Sequence, residues 1–329
     1  MPAPDCPVLS VVVAIVSDTA GQPDTNCLEP CLAALARQDH APVIEIIVPY
    51  LPATAGIPRL RGKYPDVVFK EVSDLRMYTP GREGREHHDE IRARGLALAR
   101  GEIVALIEDC GNPAADWSAK IIEHHRRPVA ALGGAIENGV DRSLNWAVYF
   151  CDFLRYQNPL PEGESSIASD ANASYKRPAL EAIRPVWEEV FHESAVNSAL
   201  RSRGETIALS PDVVLYQNRQ GLSFMSALKE RFVWGRSYAA TRAGLADSVH
   251  RIFWAVFAPV LPVLMVARMT LMAREKRRTF GRFIKALPLT AALAVSWSCG
   301  EFTGYVTGRA NAGGAQAAEA IARGSRATL

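Results

Sequence analysis

Several features that would point to common function classes are missing. The six cysteines (Cys6, Cys27, Cys31, Cys110, Cys151 and Cys299) form no Cys-x-x-Cys pair, although Cys27 and Cys31 lie one helical turn apart. A chain of 329 residues buries a core without disulfide staples, so a reducing cytosolic setting is expected. Net charge is only +2, so nucleic acid is not expected as a partner. The N-terminus lacks the basic start and small-residue cleavage site of a signal peptide. No Walker loop and no Gly-x-Gly-x-x-Gly occurs. HESAVN has Asn197 where a zinc-protease motif needs its second histidine. His87-His88 and His124-His125 are adjacent rather than four apart, so they are expected at the surface.

What is present alternates. Leu9 to Val16 (LSVVVAIV) is a continuous, β-branched run, as a strand buried on both faces should be. After a polar loop, Asn26 is placed to cap a helix carrying Leu28, Leu32 and Leu35 at helical spacing. Strands follow at Ile44–Val48, Val67–Val72, Ile103–Ile107 and Val129–Gly134, with helices at Gly84–Ala99 and Asp116–His125 between them. The spacing predicts an α/β fold, a mostly parallel mixed sheet with helices on both faces. A helical pair over Arg184–Arg203, a strand over Ile207–Tyr216 and a basic amphipathic segment over Gly221–Ala243 complete it.

In such sheets ligands sit beyond the carboxyl ends of the strands. The run IVALIEDCGNPAADW drives a buried strand into Glu108 and Asp109 at such an end. Adjacent carboxylates there suit a hard divalent cation, Mg²⁺ or Mn²⁺, bridging to a diphosphate. The bland alternative is a strand ending in a polar turn.

The order of pieces resembles family 2 glycosyltransferases of the Rossmann-like GT-A fold. LSVVVAIVSD is similar to that family's opening nucleotide-binding strand and EIIVPY to its second. RARGLALARGEIVALIEDCGNPAADW is similar to the stretch leading to its metal-binding acids, and VAALGGAIENG and SDANASYKRPAL follow in order, over roughly residues 8 to 245. The resemblance implies an inverting glycosyltransferase using a nucleotide-diphosphate sugar, with a divalent cation. It implies Asp109 and then Glu108 as metal or donor ligands, with Ser17, Asp18 and Arg92 on the nucleotide sugar. Arg92 reads equally as a solvated helix charge. Two departures stand out: Cys110 replaces an acid, and Pro49-Tyr50 follow Val48 where the family often has one.

An inverting transfer needs a general base. WEEVFHES offers Glu188, Glu189 and Glu193, with Glu193 favoured by its spacing before LRSRG. Asn172 in DANASYKR resembles a loop polar residue at the family's acceptor side, or else is a turn asparagine. LKERFVWGR lacks the Gln-x-x-Arg-Trp of processive synthases, so a non-processive enzyme is expected. Arg231 or Arg236 is a candidate for the diphosphate; the alternative is a basic helix face on anionic lipid.

The remainder divides as residues 1–245 (the transferase-like domain), 246–309 (a membrane-associated hydrophobic helical hairpin) and 310–329 (an Ala/Gly-rich tail). Ile252 to Ala267 holds sixteen uncharged residues, about 24 Å of helix, short of a bilayer core of roughly 30 Å unless extended to Ala273. Ala286 to Thr307 is the second apolar stretch, interrupted by Glu301 in WSCGEFTGY, which resembles a C-terminal motif of some membrane-bound family members. Between them REKRRTFGRFIK carries six basic residues and one acid. Two spans would put that loop outside, against the positive-inside tendency; a re-entrant or in-plane hairpin would not. The expected acceptor is lipid-linked or part of the cell envelope, the expected location the cytoplasmic face of the inner membrane, with membrane lipid as a partner. Two alternatives stay open: a catalytically degenerate binding or scaffold protein on the same fold, and a membrane-bound nucleotidyltransferase. The latter would want a Gly-rich basic first loop, and SDTAGQPD has one glycine and no basic residue.

Overall fold

The computed structural model describes residues 7–19, 24–39, 44–78, 85–245 and 247–308. Nine strands form one mixed sheet. Its first half is parallel: β1 (Leu9–Ala14) lies between β2 (Ile44–Tyr50) and β4 (Ile103–Glu108), and β3 (Val68–Glu71) lies outside β2. Past β4 the direction reverses. β8 (Asn172–Lys176) runs antiparallel to both β4 and β6 (Ala131–Asn138), and β6 is parallel to β9 (Ile207–Gln217). Short β5 (Gly111–Pro113) and β7 (Gly163–Ser165) pair antiparallel to β9.

Helices cover both faces, as the apolar pattern predicts. In β1 alternate residues point to opposite faces. Leu9, Val11 and Val13 join α1 (Leu28–Leu35), α2 (Ile57–Lys63) and α4 (Trp117–His125) on one face. Val12 joins α3 (Glu86–Leu96), α6 (Arg177–Glu181), α7 (Arg184–Trp187) and α8 (Glu193–Ser202) on the other. α1 starts one residue later than expected: the Asn26 amide donates to Asp24 (2.7 Å), so Cys27 takes the cap position with no side-chain cap bond. The two histidine pairs are a second departure. His87, His88, His124 and His125 are all buried, because each reaches a polar partner through Nε2: Asp18 for the first two, Asp212 and Ser174 for the others.

The rest of the chain wraps one flank. α5 (Ser143–Asp152) precedes a one-turn 3-10 helix, Leu154–Tyr156. α9 (Phe224–Leu245) leads to α10 (Ser248–Phe257) and α11 (Leu261–Lys276), with a 3-10 turn between them where Pro259 interrupts the run, and α12 (Phe280–Thr307) returns. Val249–Lys276 and Phe280–Thr307 are long and apolar enough to cross a membrane. α12 spans about 42 Å at 1.5 Å per residue and lies along α5 and α9.

The glycines of WSCGEFTGY explain how closely α12 and α9 approach. A Cβ on Gly300 would sit 2.1 Å from the Phe232 carbonyl oxygen, and one on Gly304 2.5 Å from that of Arg236. From α9, a Cβ on Gly235 would sit 2.2 Å from the Trp297 carbonyl oxygen. Glu301 is buried and accepts the Trp297 indole N–H (2.5 Å).

The basic loop between α11 and α12 is bound to the sheet domain. Arg278 pairs with Glu137, Arg282 with Asp141 (3.0 Å), Lys276 donates to the Pro159 carbonyl (3.1 Å) and Thr279 to the Gln157 side chain (2.9 Å).

Candidate active site

The two acids at the β4 tip point opposite ways: Glu108 is the last residue of the strand, and Asp109 opens the turn that follows it. Glu108 faces α3, where the Arg92 guanidinium donates to it (3.0 Å). Asp109 faces the α1 side. Its backbone N–H still bonds the Ala14 carbonyl (2.9 Å), and its carboxylate accepts the Val16 N–H (3.0 Å) and the Ser17 hydroxyl (2.5 Å). Asp109 is wholly buried, and burial raises its pKa to about 6 against the lowering effect of those two bonds.

Glu108 opens on a cavity of about 560 Å³ beyond the carboxyl end of β4. Its acidic lining is Glu108, Asp152, Asp170 and Glu193. Arg92, 3% exposed, also bonds Asp89 (2.9 Å) and Asp170 (3.2 Å), so one guanidinium ties three carboxylates. A buried charge so paired costs much to break. Burial pushes Glu108 up to about 7; Arg92 opposes this, while Asp170, Asp109 and Asp152 reinforce it. Glu193, the first residue of α8, accepts the Asp170 backbone N–H (3.2 Å). Burial, then the Asp170 charge, raises its pKa to about 8.

The cavity's other walls are basic and apolar. Arg85 stacks on Trp234 (4.6 Å to the ring centre), as does Arg231 (5.2 Å), which also pairs with Asp152 (2.6 Å). Arg155 and Arg268 line the cavity with no carboxylate partner among the described residues. Met265, Met269 and Met272 of α11 and Trp297 of α12 close the apolar side. Both apolar helices of the hairpin therefore form part of the site.

Of the sequence-predicted residues, Arg92, Glu108 and Glu193 converge on this cavity, with Arg231 just behind Asp152. Glu188 and Glu189 are exposed and paired with Arg184 and Arg76. Asp18 is buried between His88 (2.6 Å) and His87 (3.1 Å). Burial alone would raise its pKa; the two histidines outweigh this and hold it below the carboxylate range. Asn172 lies inside the sheet, accepting from the Trp117 indole (2.9 Å) and donating to the Ala135 (2.9 Å) and Val213 (3.0 Å) carbonyls. Arg236 lies on α9 where α12 crosses and does not line the cavity. Sequence reasoning missed Asp170, two residues before Asn172 in a segment already singled out. It also missed Trp234, which lies within the LKERFVWGR segment, and Asp152 and Arg155, which no motif marks.

A hard cation is compatible with these donors. Glu108 and Asp170 offer oxygen ligands, the type Mg²⁺ and Mn²⁺ prefer. Arg92 already bridges them, so the protein presents one or two carboxylates, not a cage. That is the mode in which substrate phosphates supply the remaining ligands.

No family model and no curated protein matches the chain. Among solved structures it is similar to the mannosyltransferase PcManGT from Pyrobaculum calidifontis, solved in complex with GDP-Man and Mn²⁺, at 18% identity over 99% of this chain and 81% of that one, with TM-score 0.44. It is also similar to residues 1–349 of S. aureus TarS in complex with UDP, at 14% identity over 92% of each chain and TM-score 0.44. The functional reading rests on the cavity itself.

Proposed function

We propose that this chain is an inverting, non-processive glycosyltransferase that moves a sugar from a nucleotide-diphosphate sugar to a lipid-linked or cell-envelope acceptor. The observation that carries this reading is one cavity at a strand's carboxyl end combining a raised-pKa carboxylate, Glu193, with guanidinium groups and a wall of apolar hairpin helices. Glu193 is the general base. Its carboxylate takes the acceptor hydroxyl proton as that oxygen bonds the sugar's anomeric carbon, and the bond from that carbon to the diphosphate breaks with its electron pair leaving on the diphosphate. Arg85, Arg155 and Arg268 are placed to hold diphosphate oxygens, and Arg92 keeps Glu108 and Asp170 oriented. When bound through Glu108, a divalent cation would neutralise charge on the departing diphosphate.

The hairpin reads as lying in one leaflet at the cytoplasmic face. Its connecting loop is held by Glu137, Asp141 and Gln157, which a loop on the far side of a bilayer could not reach. Ile252, Phe253, Val256, Phe257, Val263, Leu264 and Leu271 are exposed along α10 and α11, an apolar face suited to lipid. The in-plane arrangement also removes the conflict with the positive-inside tendency.

Calorimetric titration of UDP- and GDP-sugars, with and without Mn²⁺, tests the donor reading on wild type and Glu108→Gln. Binding that Mn²⁺ strengthens in wild type and not in the variant supports it. A second reading, a scaffold on the same fold, draws on Arg92, which already neutralises Glu108 and Asp170. Absence of binding to every common donor would favour that reading.

A further inference from the structure

Cys27 and Cys31 at the start of α1 and Cys110 after β4 converge behind the β4 tip, on the side away from the cavity. Sulfur atoms of Cys27 and Cys110 and a carboxylate oxygen of Asp109 all lie within 4.8 Å of one another. Cys31, one turn along α1, is buried beside the same carboxylate and Cys27. We propose that Cys27, Cys110 and Asp109 form a zinc site that ties the start of α1 to the end of β4.

Ligand chemistry selects the metal. Two thiolates and one carboxylate suit Zn²⁺ and exclude Mg²⁺ and Mn²⁺, which prefer oxygen. Zinc–sulfur bonds of about 2.3 Å place sulfurs of a tetrahedral site about 3.8 Å apart. Closing a 4.8 Å separation to that value takes at most about 1 Å, within side-chain torsion. The fourth position falls to water or to Cys31.

The surroundings favour ligation. Cys27 holds the cap position of α1 with no side-chain cap bond, so its sulfur is not committed to the helix end. Val16 and Ser17 fix the Asp109 carboxylate, as hydrogen bonds to metal ligands commonly do, and leave it lone pairs for an ion. Cys27 is partly exposed, giving an ion a route in. The charge of nearby Arg219 is engaged by Glu230 (2.6 and 2.7 Å). The site would also account for the thiol at position 110: it serves the α1 side of the sheet, while Glu108 serves the cavity. The inference stands apart from sugar transfer.

The test is Co²⁺ titration of the reduced, metal-stripped full chain, followed by competition with Zn²⁺. Wild type should take up one equivalent and show thiolate-to-cobalt charge transfer with tetrahedral visible absorption. Cys27→Ser and Cys110→Ser should each lower metal affinity at least tenfold, whereas Cys299→Ser, exposed on α12, should not. Should the variants fold poorly, alkylation of native wild type decides: Zn²⁺ should shield Cys27, and a chelator should restore its labelling. Equal labelling with and without Zn²⁺, a spectrum indifferent to Cys27→Ser, or a Cys27–Cys110 disulfide in place of metal uptake would each overturn the assignment.

Discussion

Glu193 is the residue whose titration most directly tests the reaction. Its pKa of about 8 comes from burial and from the Asp170 charge. A general base works only when ionised. At pH 7 a group with that pKa is ionised in roughly one molecule in ten, and at pH 9 in roughly nine in ten. The rate of sugar transfer should therefore climb about tenfold from pH 7 to pH 9 if chemistry limits it. Glu193→Gln removes the base, lowering the rate by a factor on the order of 10² to 10⁴ and flattening the rise. Asp170→Asn removes the like charge beside it, so the rise should move toward acid pH. The assay is single-turnover release of nucleoside diphosphate from a donor that binds, across pH 6 to 10, on all three proteins. A Glu193→Gln enzyme within about twofold of wild type across that range would refute the reasoning, since such a base contributes far more than that.

Further outcomes follow from other parts of the fold. Gly300→Ala forces a methyl to 2.1 Å from the Phe232 carbonyl oxygen and should cost about 1–3 kcal/mol in denaturant unfolding, whereas Gly281→Ala, with nothing within 4 Å, should cost little. On a Cys299→Ser background, Arg277→Cys in the α11–α12 loop should add maleimide labelling by a membrane-impermeant reagent only when reagent reaches the cytoplasmic side; added labelling from outside in intact cells would show a spanning hairpin. Burial depresses the His88 pKa from 6.5 to about 4. The unfolded chain therefore binds this proton first, and the stability linked to His88 is present above its unfolded pKa and lost as pH falls from about 6.5 to 4. His88→Gln should show a shallower loss in that window, measured by unfolding at fixed temperature.

The sequence by itself determined the alternation of elements. Continuous, short, β-branched runs such as LSVVVAIV read as strands buried on both faces, and the helical stripes between them supply the covering layers. It also placed Glu108 at a strand end, because a strand tip is a local property, and through the family resemblance and the spacing before LRSRG it favoured Glu193 as the base. Side-chain direction and long-range pairing were not local, and only the tertiary structure decided them. The Val16 and Ser17 donors turned Asp109, in the turn after β4, from the cavity toward the thiols of Cys27 and Cys110. Asp18 was drawn into a pair of buried histidines that adjacency alone had assigned to the surface. Asp152, Arg155 and Arg268 meet at one cavity from segments more than a hundred residues apart. No spacing rule encodes such a meeting, because it depends on how the hairpin lies against the sheet.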